Sequence, residues 1–174
     1  MKNTNIEKIA NNLVKAFQSN KSIKPIPLKY CKSMKEAQKL RKICESKVKQ
    51  PIIGFKAAGT GIPVLKKLGE REPFFASIFK NNLLKSGMKV RVNSYTLGIE
   101  LEVGYLIKEN FFQSKSLINF INIHKYISHT IPAIEVVGYR QKKTGIKFLG
   151  DLCSDFGANI KFIKKKKKKY KKIN

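Results

Sequence analysis

Glu100 and Glu102 stand two residues apart in LGIELEVGYLI (97–107). The partial alternation of that stretch, around Ile99, Leu101, Val103 and Tyr105, reads as a β-strand, so the two carboxylates leave the same face. Two carboxylates aimed together repel unless a proton or a cation lies between them. The interleaved apolar residues predict that the strand is buried on its other face. The acids would then lie beside a core, where an uncompensated pair of charges is expensive. Oxygen-only ligands of this kind suit Mg2+ or Mn2+, with water and substrate completing the shell. Glu135, the lone acid of the apolar run IPAIEVVGY, is a third candidate. The plainer alternative is a polar outward face on which Glu100 and Glu102 pair with surface lysines, and E-x-E by itself does not decide. Lys56, between Phe55 and Ala57, is either a cation positioned from an apolar strand or a surface lysine.

The elements that must position these residues follow from periodicity and punctuation. Ile6, Ile9, Ala10, Leu13, Val14 and Phe17 recur at helical spacing and predict a helix over 4–19. SIKPIPLKY then forbids helix, and Ser33 with Glu36 forms an S-x-x-E capping signal ahead of a second helix over 33–49. Pro51 ends it. PIIGFKAAG reads as a strand running into a Gly-rich turn, Pro63 opens a short helix through Leu68, and Gly69 suits its C-terminal cap. After the strand at 97–107 the pattern predicts a helix near 115–126, a strand over 131–139, a short helix or loop, and a strand near 160–163. Helices lead and strands follow, so the fold class is α+β with a mostly β core.

Composition narrows the class of protein. The chain has 174 residues, 37 Lys+Arg against 11 Asp+Glu, and a formal charge of +26. With 42% apolar residues it has the composition of a globular domain. It holds no apolar run of membrane-spanning length, and MKNTNIEKIANNL lacks the apolar core of a secretory signal. Cys31, Cys44 and Cys153 are few, odd in number and without a C-x-x-C pair, which reads as reduced thiols of a cytoplasmic protein without a zinc site. A basic surface attracts polyanions without specificity. Specific nucleic-acid recognition would add a motif, and the sequence has none, so contact with nucleic acid is expected only nonspecifically, through the Lys-rich end. Residues 164–174 form a like-charge block expected to be a disordered tail on a single domain over 1–163, helical over 1–50 and β-rich over 51–163.

Five segments taken in order, GFKAAGTG (54–61), LGEREPFFASIF (68–79), GIELEVGYLI (98–107), PAIEVVGYR (132–140) and DLCSDFGANIKFI (151–163), resemble the 2-keto-4-pentenoate hydratase group of the fumarylacetoacetate hydrolase superfamily. The resemblance implies that Glu100, Glu102 and Glu135 hold a divalent metal, Mg2+ or Mn2+, and that Lys56 is the active-site lysine. It implies that Asp155 lines the site with Asp151 nearby. Read from the residues alone, both aspartates are equally caps or turn residues. Asn159 stands where small hydroxyl residues are common, Ile160 where a glycine is usual, and Phe74 where a smaller or acidic residue is frequent. His124 and His129 match no functional position and are expected on a surface helix and a loop.

The substrate implied is a small 2-hydroxy-2,4-dienoate or its 2-oxo tautomer, hydrated to a 4-hydroxy-2-oxo acid in aromatic catabolism. A 2-oxo-acid decarboxylase of the same superfamily shares the motifs, a hydrolase of diketo acids is a further option, and a basic polyanion-binding protein is the alternative from another class. A homo-oligomer is compatible with the sequence. Related enzymes continue beyond this length with strands that close the β core, so the resemblance implies an incomplete fold with compromised activity.

Overall fold

The computed structural model describes residues 3–19, 21–143 and 145–170. Helix α1 (Asn3–Ser19) and helix α2 (Met34–Lys47) form the N-terminal layer. The apolar stripe of α1, with Ile6, Ala10, Leu13 and Val14, packs against Leu40, Cys44 and Val48 at the far side of the same cluster. Ser33 caps α2 as its spacing predicts, its side chain accepting from the Glu36 N–H at 3.4 Å. Strand β1 (Ile52–Ala58) and strand β2 (Phe74–Phe79) pair antiparallel as a small sheet, with helix α3 (Ile62–Lys67) between them. Gly69 takes φ 72° just beyond α3, the left-handed cap position that its sequence neighbours foreshadow.

The larger sheet has five strands: β3 (Leu83–Lys85), β4 (Thr96–Ile107), β5 (Ile127–Gly138), β6 (Asn159–Lys164) and β7 (Lys168–Lys169). Their order is β3-β6-β5-β4, with β7 continuing beside β5, and only the β3–β6 pair is parallel. A one-turn helix α4 (Asn110–Gln113) follows β4, and helix α5 (Leu149–Ser154) precedes β6. Phe17 of α1, Phe79 of β2 and Phe156 just ahead of β6 meet as an aromatic cluster that fastens the helical layer to both sheets. A second cluster, with Ala37, Leu65, Phe74, Leu149 and Cys153, joins α2, α3, β2 and α5. The architecture is α+β, with leading helices and a β core.

Several expectations change. The segment over 115–126 is not a helix: only Ile123–Tyr126 makes a single 3-10 turn. Its asparagines bond locally instead, Asn119 Oδ1 accepting from the Ile121 and Asn122 N–H groups and Asn122 Oδ1 from the Asn119 N–H, which competes with helical bonding. Leu117, Phe120 and Ile121 have no core to meet, and Phe120 is 96% exposed. Strands β2, β3 and β7 escape the sequence reading, although FFASIF carries the aromatic and branched composition of β2. His129 lies within β5 rather than in a loop. The lysine run is not tail-like from 164, because Lys164 closes β6 and Lys168–Lys169 pair with His129 and Thr130; residues 171–174 lie outside the described ones.

The outer face of β4 departs most. Ile99, Leu101 and Val103 are exposed rather than buried, Leu101 at 85%. The reason is topological. β4 is an edge strand paired only with β5, and among the described residues no element covers that face.

Candidate metal centre

β4 and β5 run antiparallel with Glu100 directly opposite Glu135 and Glu102 opposite Ala133. The register therefore sets two glutamates of one strand around a glutamate of the next, on a single face. Like charges placed directly across a ladder are destabilising. One carboxylate oxygen from each of Glu100, Glu102 and Glu135 lies within 4.8 Å of the others. Burial grades across the group: Glu135 is fully buried, Glu102 half-buried and Glu100 exposed. The group thus has a floor in the core and a mouth toward solvent.

Lys56 reaches the floor from β1. Its alternation turns Phe55 out and Lys56 in, and Lys56 Nζ donates to Glu135 Oε1 at 2.6 Å and to the Gly157 carbonyl at 3.1 Å. Asn159 Nδ2 donates to the same Oε1 at 3.1 Å. Glu135 Oε2 is buried with no hydrogen-bond partner among the described residues. Burial pushes the Glu135 carboxyl up from its ordinary range, against the opposing pull of Lys56 and Asn159. Burial also raises Glu102, with Glu100 adding repulsion and Lys56 opposing.

These facts test whether a cation fits. Among the described residues neither Glu100 nor Glu102 makes an ion pair, so three carboxylates face one ammonium. The imbalance of two negative charges equals the charge of a divalent ion. The donors are all oxygen, a buried carboxylate oxygen is unsatisfied, and one side is open, which is the donor chemistry of a hard divalent cation with room for water or a ligand. The residues present fit such an ion.

The other expected residues fall elsewhere. Asp155 is fully buried, but its carboxylate is engaged away from the glutamates. Oδ2 accepts from the Arg140 backbone N–H at 2.8 Å and from Gln141 Nε2 at 3.0 Å, and Oδ1 faces Arg140 Nη1 at 3.3 Å. Asp151 caps α5, Oδ2 accepting from the Phe148 N–H at 3.3 Å while Oδ1 lies 2.7 Å from Lys143 Nζ. The sequence marks Asn159 only as a departure from the family pattern and does not single out Arg140, yet both neighbour the site. Arg140 Nη2 donates to the Asn159 carbonyl, so a continuous polar path joins Asp155, Arg140, Asn159, Glu135 and Lys56. The advance signals were their places in PAIEVVGYR and DLCSDFGANIKFI and the polar interruptions of the apolar runs at 140 and 159.

With this geometry in view, two solved structures are informative. The chain superposes on 4-oxalocrotonate decarboxylase from Pseudomonas putida G7, complexed with magnesium and adipate, with a TM-score of 0.71 at 14% identity. The same enzyme complexed with calcium and acetate matches with a TM-score of 0.68 at 14% identity. The fold is theirs. It is the fumarylacetoacetate hydrolase type that the motif order implied. The matches cover 92% and 91% of this chain but 62% and 61% of the decarboxylase chains, so this chain spans less than two thirds of their length. No protein-family model matches the sequence, and no curated protein matches it either. No described helix is long and apolar enough to cross a membrane.

Proposed function

We propose that this chain binds a divalent cation, Mg2+ or Mn2+, through Glu100, Glu102 and Glu135, and that the site handles a small 2-oxo or 2-hydroxy dienoic acid. The reaction we assign is addition of water to a 2-hydroxy-2,4-dienoate, giving a 4-hydroxy-2-oxo acid. The observation that carries the reading is the carboxylate triad itself, gathered within 4.8 Å around a buried glutamate with an unsatisfied oxygen. Its agreement with a fold that carries magnesium in the decarboxylase supports it.

When bound, the cation supplies Lewis acidity toward the carboxylate and 2-oxygen of the acid. The chain's own residues do the rest. Lys56 places its ammonium beside the triad, where it attracts an anionic acid. Glu135 orients that ammonium from below. Asp155 acts at one remove, as a positioning residue: it holds Arg140, which braces Asn159 against Glu135.

Decarboxylation of a 2-oxo acid is the second reading, favoured by the activity named for both structural neighbours. Parallel assays separate the two: loss of dienoate absorbance without gas release supports hydration, and release of carbon dioxide from a 2-oxo-3-enedioate supports decarboxylation. In either case Glu102→Gln should abolish metal-dependent turnover. A chain that binds neither Mg2+ nor Mn2+ in a calorimetric titration would overturn the reading at its root.

A further inference from the structure

Three consecutive residues ahead of β6 have left-handed backbones: Phe156 at φ 53°, Gly157 at φ 69° and Ala158 at φ 55°. Two of them carry side chains, for which this region is sparsely populated and persists only when the surroundings over-determine it. Here they do. The Ala158 N–H donates to the Asp155 carbonyl at 2.8 Å, and Arg140 Nη1 approaches the same carbonyl at 3.4 Å. Arg140 Nη2 holds the Asn159 carbonyl just beyond the turn. The guanidinium also lies over the rings of Phe17 and Phe156, 4.8 and 5.1 Å from their centroids, and the two rings meet tilted by 31° with centroids 4.5 Å apart.

The turn has two products, and both concern Glu135. It points the Gly157 carbonyl at Lys56 Nζ, and it aims the Asn159 amide at Glu135 Oε1. Asn82 Nδ2 donates to Asn159 Oδ1 at 3.4 Å, which fixes the amide so that its N–H2 faces the glutamate. Glu135 Oε1 is thereby committed to two donors, while Oε2 has none among the described residues.

We propose that Asn159, braced by Asn82 and by the Arg140 clamp on the left-handed turn, is a positioning residue that selects which oxygen of Glu135 is offered to a cation. By occupying Oε1 together with Lys56 it locks the carboxylate rotation and leaves Oε2 as the ligand oxygen. This rests on the cation reading above. Groups that orient a ligating side chain from behind commonly contribute 10–100-fold to metal affinity.

The test uses the full purified chain and Mn2+ alone, read by calorimetry and by the electron paramagnetic resonance spectrum of the bound ion, with circular dichroism to establish folding. Asn159→Leu and Asn159→Asp are near in size to asparagine, and both lack the N–H2 donor. The expected result is Mn2+ binding weakened about 10–100-fold in both, with an altered spectrum. Weakening in Asn159→Asp is the sharper outcome, because an added carboxylate would tighten binding if charge alone mattered. Unchanged affinity in Asn159→Leu, or tighter binding in Asn159→Asp, overturns the proposal. Should Asn159→Leu not fold, Arg140→Lys retains the charge beside Asp155 but cannot clamp two carbonyls; it should also weaken Mn2+, and an unaltered affinity overturns the proposal. Glu135→Gln separates the two levels of inference. Mn2+ bound by the unchanged chain, lost in Glu135→Gln and retained in the Asn159 variants, sinks the positioning role and spares the cation site. No Mn2+ bound by the unchanged chain sinks both.

Discussion

Lys56 and Glu135 are each other's reason for being buried. An ammonium and a carboxylate in this environment are tolerable because they sit 2.6 Å apart, and removing one strands the other. Lys56→Met should therefore destabilise the metal-free chain by about 3–5 kcal/mol, measured by urea unfolding. Added Mn2+ should recover part of that loss, because the ion would supply the positive charge that Glu135 has lost; no recovery would argue against a cation at the triad. The grading of burial across the glutamates predicts a second outcome. Glu102→Gln and Glu135→Gln should each cost more Mn2+ affinity in calorimetry than Glu100→Gln, whose side chain is exposed and free to rearrange.

At the scale of elements, the left-handed turn over 156–158 is the part with least tolerance. A Cβ on Gly157 would lie 2.6 Å from the Ala76 Cβ, and φ there is 69°. Gly157→Ala combines a backbone cost of about 1–2 kcal/mol with overpacking of about 1–3 kcal/mol, so a marked fall in urea midpoint is expected. The α5 layer responds to pH instead. Burial pushes the Cys31 thiol and the Cys153 thiol each up to about 11 from the ordinary 9.0, with Asp151 adding to the rise of Cys31 while Arg41 opposes that of Cys153. A thiol that is harder to ionise in the folded chain stabilises it fully below 9.0, and that contribution is lost as pH rises through about 11. Urea midpoints should fall across this window, and Cys153→Ala should remove part of the slope. A slope of unchanged size would contradict the assignment.

For the whole molecule, charge and exposed apolar surface act in opposite directions. A formal charge of +26 keeps copies apart, while the uncovered face of β4, with Ile99, Leu101, Val103 and Tyr105, invites association along an unpaired edge. Salt screens the repulsion and leaves the apolar attraction, so light scattering should rise with salt, and Leu101→Lys should suppress the rise without altering Mn2+ affinity. The basic surface makes a further prediction that is independent of the metal site. Retention of DNA should weaken by orders of magnitude between about 50 and 200 mM salt and be indifferent to Glu100→Ala.

Sequence by itself determined what depends on near neighbours. The two leading helices, the Ser33 cap, the Gly69 turn and the strands carrying Glu100, Glu102 and Glu135 are legible because period, capping and turn chemistry act over a few residues. The motif order carried the fold type as well. Where local rules compete, they misled: the apolar residues over 115–126 have helical density, but the asparagines bind their own backbone and no core receives the helix. Only the tertiary structure decided that Glu100 faces Glu135 in register, that Lys56 crosses from the other sheet, and that Asp155 serves Arg140 rather than the triad. Those relations join residues 15 to 79 positions apart, and burial and charge pairing at such separations leave no periodic trace in the chain.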